Sequence, residues 1–177
     1  MKWKDKLIKD TFIALQSDQE WSEVMNKAFH ENEASIHLAV FNEPFLSMIF
    51  TSEKTIESRF SVNKVAPFSK VKRGDIVLMK KSGGVIEGIF IAGQTLFFSN
   101  LTGHWLLDIE KKYGVEIGWH TNPEFFKNKV VANYVSLIFI GKIRRVVIDT
   151  DKNDRTAWSV LRTGFKDTLF DKKQGHD

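Results

Sequence analysis

Apolar positions recur at three- and four-residue steps from residue 3 to residue 30, and further along the chain runs of β-branched and aromatic residues take over. Leu7, Ile8, Thr11, Phe12 and Leu15 share one face of a predicted helix, and Trp21, Val24, Met25, Ala28 and Phe29 share a face of a second. Ser17 with Glu20 three positions later matches a capping box and places the second helix start there. Strands are predicted at "IHLAVF" (36–41), "TIESRF" (55–60), "IVLMKK" (76–81), "VIEGIFIAGQTLFF" (85–98, bent near Gly88 or Gly93) and "YVSLIFIGKIRRVVI" (134–148).

Helical pieces fall between these strands. "NEPFLSMIF" reads as a short helix opened by Pro44, with Phe45, Met48 and Ile49 inward. "HWLLDIEKKYG" carries a stripe of Trp105, Leu106, Ile109 and Tyr113, with Gly114 as its stop. "PEFFKNKV" predicts one more helical turn, and Trp158, Leu161, Phe165 and Leu169 predict a C-terminal helix before a frayed "DKKQGHD" tail. The order implies an α+β protein built on a small mixed β-barrel with peripheral helices. Its expected parts are a helical N-terminal extension (1–33), a barrel (34–148) and a C-terminal helix and tail (149–177).

Composition narrows the function classes. The 177 residues are enough to bury a core, and the net charge of +4 mildly favours an anionic partner. With no cysteine, disulfides, thiol nucleophiles and thiolate metal sites are excluded. "MKWKDKLIKD" has no apolar signal core and no run is long enough to span a bilayer, so a cytoplasmic protein is expected. The five histidines form no pair at metal-ligand spacing; no metal site and no cofactor motif is expected. His37 reads as a structural histidine within a strand, and His120 as a loop residue beside Trp119. "KKSGGVIEG" lacks the Gly-Lys-Ser/Thr ending of a phosphate loop and reads as a hairpin turn, and no Gly-x-Ser-x-Gly elbow occurs.

Three features remain. Lys142 and Arg144 share a strand face that either contacts phosphates or is simply solvated. Trp119 either packs or stacks on a base. In "TSEKTIESRF", strand phasing puts Glu57 and Arg59 on one face near Lys54. That cluster is either a surface ion pair worth little energy or a cleft where Arg59 holds an anion and Glu57 accepts a proton.

The run "IHLAVFNEPFLSMIFTSEKTIESRF" resembles the start of an ASCH domain (activating signal cointegrator homology), of the PUA-like superfamily, through Pro44, Lys54, Thr55, Glu57 and Arg59. Ser52 and Glu53 stand where the family usually has glycine before the lysine. "KRGDIVLMKKSGGVIEGIF" is similar to the family's Gly-Asp strand pair through Gly74, Asp75 and Gly88, and "NYVSLIFIGKI" to its closing strand. The resemblance spans about residues 34 to 148.

It implies a PUA-like barrel and a cleft lined by the Lys-Thr-x-Glu-x-Arg segment that binds RNA, a nucleotide or a modified nucleoside. Expected ligand-binding residues are Arg59, Thr55, Trp119, Lys142 and Arg144. The alternative is a hydrolase acting on a modified nucleoside or RNA, with Lys54 as base or nucleophile and Glu57 as proton acceptor. The family's amidohydrolases carry a second threonine where this chain has Glu57, and Glu116 falls roughly where their further glutamate is expected. The amphipathic ends are expected either to cover the barrel or to form a homodimer surface.

Overall fold

The computed structural model describes residues 2–152 and 154–165. One six-stranded sheet, in the order β2-β5-β4-β3-β1-β6, curls strongly into a half-barrel with helices around it. Its strands are β1 (Ile36–Phe41), β2 (Ile56–Ser61), β3 (Ile76–Lys81), β4 (Ile86–Phe98), β5 (Tyr134–Ile148) and β6 (Trp158–Arg162). The helices are α1 (Trp3–Leu15), α2 (Ser22–Met25), α3 (Phe45–Phe50), α4 (Trp105–Ile117) and α5 (Pro123–Lys127). Among the described residues β1 and β3 run parallel, with Leu38 opposite Leu78, and the other pairings are antiparallel.

The strands alternate between two buried layers. Leu38, Ile76 and Leu78 pack with Leu7, Leu15, Trp21 and Met25, so the apolar faces of α1 and α2 are spent on covering the sheet. Ala39, Val77 and Met79, one residue out of phase, pack with Leu46, Ile49, Phe90 and Trp158 inside the curl. Because both faces are covered, β1 and β3 read as nearly continuous apolar runs rather than alternating ones. A third cluster sets Ile109, Ile117, Trp119 and Phe126 against Val135 and Leu137. The irregularities of β4 fall at both glycines named for it, Gly88 and Gly93, with register shifts between Ile86 and Gly88 and between Ala92 and Thr95. At Gly88 an added Cβ would lie 2.6 Å from the Phe50 ring.

Four local expectations are corrected. No helix starts at Ser17: Asp18 takes the Glu20 N–H at 3.0 Å, an Asx-type turn, and α2 begins only after Trp21. In α3 the buried residues are Leu46, Met48 and Ile49, while Phe45 is half-buried at the mouth of a cleft. Helix α4 passes through Gly114 and ends at Gly118, whose φ of +81° supplies the left-handed cap. The predicted C-terminal helix is a strand over residues 158–162: β6 pairs with β1, Ala39 opposite Trp158. The unpaired edge of β1 offers main-chain partners that a short amphipathic helix could not use, so sheet completion overrides the helical spacing. Leu169 and the tail lie outside the described residues.

Candidate functional site

The half-barrel leaves a seam between its two edges, and the charged segment of β2 lies along it. Helix α3 ends at Phe50, and the chain turns so that the Lys54 N–H meets the Met48 carbonyl at 3.0 Å. The Thr55 N–H then bonds the Glu116 carbonyl at 3.0 Å, docking the start of β2 on the end of α4. These two anchors aim the Lys54 side chain inward, where it is 2% exposed. Its ammonium donates to the Ile56 carbonyl at 2.8 Å and the Ile117 carbonyl at 2.9 Å, and lies 3.3 Å from Glu57 Oε2. The Ile117 carbonyl is the last of α4, so the negative end of the helix dipole also faces the cation. Burial nonetheless pulls the Lys54 pKa below its usual value, against the pull of Glu57; Arg59 adds to the lowering.

Glu57 is buried between two cations. Its other oxygen accepts from Arg59 Nε at 2.6 Å. Arg59 then crosses the seam: it donates to the Val40 carbonyl at 2.8 Å and, weakly at 3.4 Å, to the Ala157 carbonyl before β6. Its guanidinium lies over Phe41 and Trp158, at 5.1 and 5.3 Å from the ring centres. Trp158 is in turn held by its indole N–H, which donates to His37 Nδ1 at 3.2 Å. His37 Nε2 therefore carries the proton and donates to Asp75 at 3.2 Å, the structural role expected for this histidine.

Above this floor opens a cleft of about 290 Å³ walled by Phe45, Phe60, Phe125 and Phe126. Lys54, Glu57 and Arg59 all line it, as do Asn42 and Lys129. Lys129 lies 4.0 Å from the Phe125 ring centre, and burial followed by repulsion from Arg59 lowers its pKa. Nothing in the periodicity marks Lys129 or the phenylalanines of α5 as site residues. Their one local signal is the interleaving of aromatic and basic residues in "PEFFKNK".

The remaining sequence candidates lie elsewhere. Thr55 is exposed and serves through its main chain. Glu116 is also exposed and gives its carbonyl to Thr55. Trp119 is buried with its ring stacked on Phe126 at 4.8 Å, the packing alternative rather than an open platform. Lys142 and Arg144 engage the turn between α1 and α2: Lys142 donates to the Glu20 carbonyl at 2.6 Å, and Arg144 pairs with Asp18 at 2.8 Å. Among the described residues no three His, Asp or Glu side chains gather as a metal-ligand set, and no helix is long and apolar enough to cross a membrane.

No family model and no curated protein matches the sequence. Solved structures do match in shape. The crystal structure of ASCH from Zymomonas mobilis aligns with a TM-score of 0.55 at 11% identity, covering 78% of this chain and 94% of that one. Two single-residue mutants of the same protein align with TM-scores of 0.55 and 0.54, also at 11% identity, each covering 77% of this chain. The expected α+β architecture is therefore present, with the fold of these ASCH structures.

Proposed function

We propose that this chain of ASCH fold is an RNA- or nucleotide-binding module that holds a base in the cleft floored by Lys54, Glu57 and Arg59. The observation that supports it most is the meeting, in one concavity, of five phenylalanine side chains (Phe41, Phe45, Phe60, Phe125 and Phe126) with a buried charged floor. Aromatic walls favour an unstacked base of any sequence, because every base has a π-face. The floor supplies direction. Glu57 has unused lone pairs for the N–H edge of a base, while Asn42 can donate and accept. Lys129 and Arg59 make the surroundings net positive, which suits the sugar–phosphate backbone.

Fluorescence anisotropy with a mixed-sequence single-stranded octaribonucleotide tests this. Affinity is expected to fall steeply with salt, with a log–log slope of about −0.7 for each phosphate neutralised. A flat salt response, or no binding at low salt, would overturn the reading.

One observation supports a second reading, hydrolysis of a modified nucleoside or RNA: Lys54 lines the cleft with a pKa lowered by burial, as a catalytic amine requires. Its three N–H donors are already directed at Ile56, Ile117 and Glu57, which suits positioning better than attack. Under the hydrolase reading Lys54→Met abolishes turnover while the fold persists, and unchanged turnover excludes Lys54 as the catalytic amine.

A further inference from the structure

Arg59 has a second side. The same guanidinium that borders the aromatic cleft also borders a separate concavity of about 410 Å³ between the β3–β4 turn and the segment before β6. The two hollows share Val40, Asn42, Arg59 and Ala157 along their common rim, so one extended ligand can occupy both. Their linings differ. The first is walled by phenylalanines, whereas the second contains Arg59, Lys80, Lys152 and Arg155 against a single carboxylate, Asp154.

That carboxylate is already satisfied. Asp154 accepts from Lys152 at 2.5 Å and from the Thr156 N–H at 3.0 Å, and also from the Thr156 hydroxyl. Partial burial works to raise its pKa, but these donors prevail and hold it at about 2, so it stays ionised and locally matched at neutral pH. Lys152 and Asp154 thus cancel within the loop. Lys80, Arg155 and the outer edge of Arg59 supply the remaining positive charge. Lys80 is held by the Gly84 carbonyl at 2.5 Å and the Lys81 carbonyl at 3.3 Å, which fixes its ammonium at the rim and leaves it one further N–H. Arg155 is exposed. Arg59 uses three of its five N–H groups on Glu57, Val40 and Ala157.

We propose that this second concavity is a phosphate subsite. It takes the phosphomonoester or phosphodiester of a ligand whose base lies in the aromatic cleft, with Lys80, Arg155 and the free N–H groups of Arg59 as its donors. The proposal rests on the reading of that cleft as a base-binding site, and Arg59 is the hinge of both. Its Glu57 bond orients the guanidinium for the base side, and its outer edge remains available to an oxyanion.

Isothermal titration of the full chain with the four ribonucleosides, their 3′- and 5′-monophosphates and a mixed octaribonucleotide tests it. At least one monophosphate or the octamer is expected to bind about tenfold or more tightly than the matching nucleoside. Arg155→Gln, an exposed change, is expected to remove most of that gain and leave nucleoside affinity unaltered; Arg155→Lys restores part of it. Lys80→Gln is expected to act in the same direction, with its melting temperature checked because Lys80 also braces the turn. A loss shared by monophosphates assigns the subsite to a free nucleotide, and a loss confined to the octamer assigns it to a strand phosphodiester. Equal affinity for nucleosides and phosphorylated probes, or a gain that survives Arg155→Gln and Lys80→Gln together, overturns the subsite and leaves the cleft reading intact. No binding by any probe overturns both.

Discussion

Arg59 on β2 donates a 2.8 Å hydrogen bond to the main-chain carbonyl of Val40 on β1, joining the edge strand at one end of the curl to the last-but-one strand at the other, two strands that are not sheet neighbours. An ion-paired side chain thereby closes the seam that main-chain pairing leaves open. The buried Glu57 orients it from one side, and Trp158 and Phe41 support its flat faces.

Replacing Arg59 should therefore cost stability as well as ligand. Arg59→Leu leaves Glu57 buried with only Lys54 to match it and removes the bridge to Val40. A loss of about 2–4 kcal/mol is expected in urea denaturation. Arg59→Lys should recover little, since an ammonium cannot hold Glu57 and Val40 in one planar fork.

Glu57 and Lys54 should show strong coupling. Glu57→Gln strands the buried ammonium beside two carbonyls and is expected to destabilise by about 3 kcal/mol. Lys54→Met in the same chain removes that stranded charge. The double variant should be more stable than the sum of the two single changes predicts, by about 1–3 kcal/mol in a double-mutant cycle. Simple additivity would mean that the 3.3 Å contact carries no energy.

The lowered pKa of Lys54 gives a signed pH effect. The folded protein binds this proton less readily than the unfolded chain, so the unfolded state holds more protons between the folded pKa and the ordinary value of 10.5. Stability contributed by this site therefore rises with pH across that window and is constant below it. Denaturation of wild type and Lys54→Met in parallel from pH 7 to pH 10.5 should show the wild type gaining on the variant. The other lysines cancel in the difference, and a falling difference would contradict the shift.

Trp158→Phe keeps the apolar face toward Arg59 but deletes the donor to His37 Nδ1. A buried acceptor without its partner is expected to cost about 1–2 kcal/mol. Proton NMR of the His37 ring checks the mechanism: its Nε2–H resonance should persist through the Asp75 bond while the indole N–H signal disappears.

The elements that a local pattern can specify were legible in the chain. β1, β3, β4 and β5 follow from apolar and β-branched runs, α1 from its stripe, and the shared face of Glu57 and Arg59 from the two-residue period. Those signals depend on neighbours a few positions away. The misread elements depend on distant partners. β6 exists because the edge of β1 was free to pair, although its own spacing suits a helix. Helix α4 runs past Gly114, and its last carbonyls meet Thr55 and Lys54, more than sixty positions earlier.

The site divides in the same way. Its charged floor was readable because Lys54, Glu57 and Arg59 lie within six positions of one another, whereas Phe125, Phe126 and Lys129 reach the cleft only when the α5 region folds over β2. Lys142, Arg144 and Trp119 could not be placed from sequence, since a strand cation is equally compatible with a ligand and with the Asp18–Glu20 turn, and an indole with a base and with Phe126. The sequence by itself determined that Lys54, Glu57 and Arg59 are chemically able to form a charged cluster on one segment. Only the tertiary structure decided that they floor a cleft and which aromatic residues wall it, because the curl of the sheet sets the distance from Arg59 to Val40 and no local periodicity contains that distance.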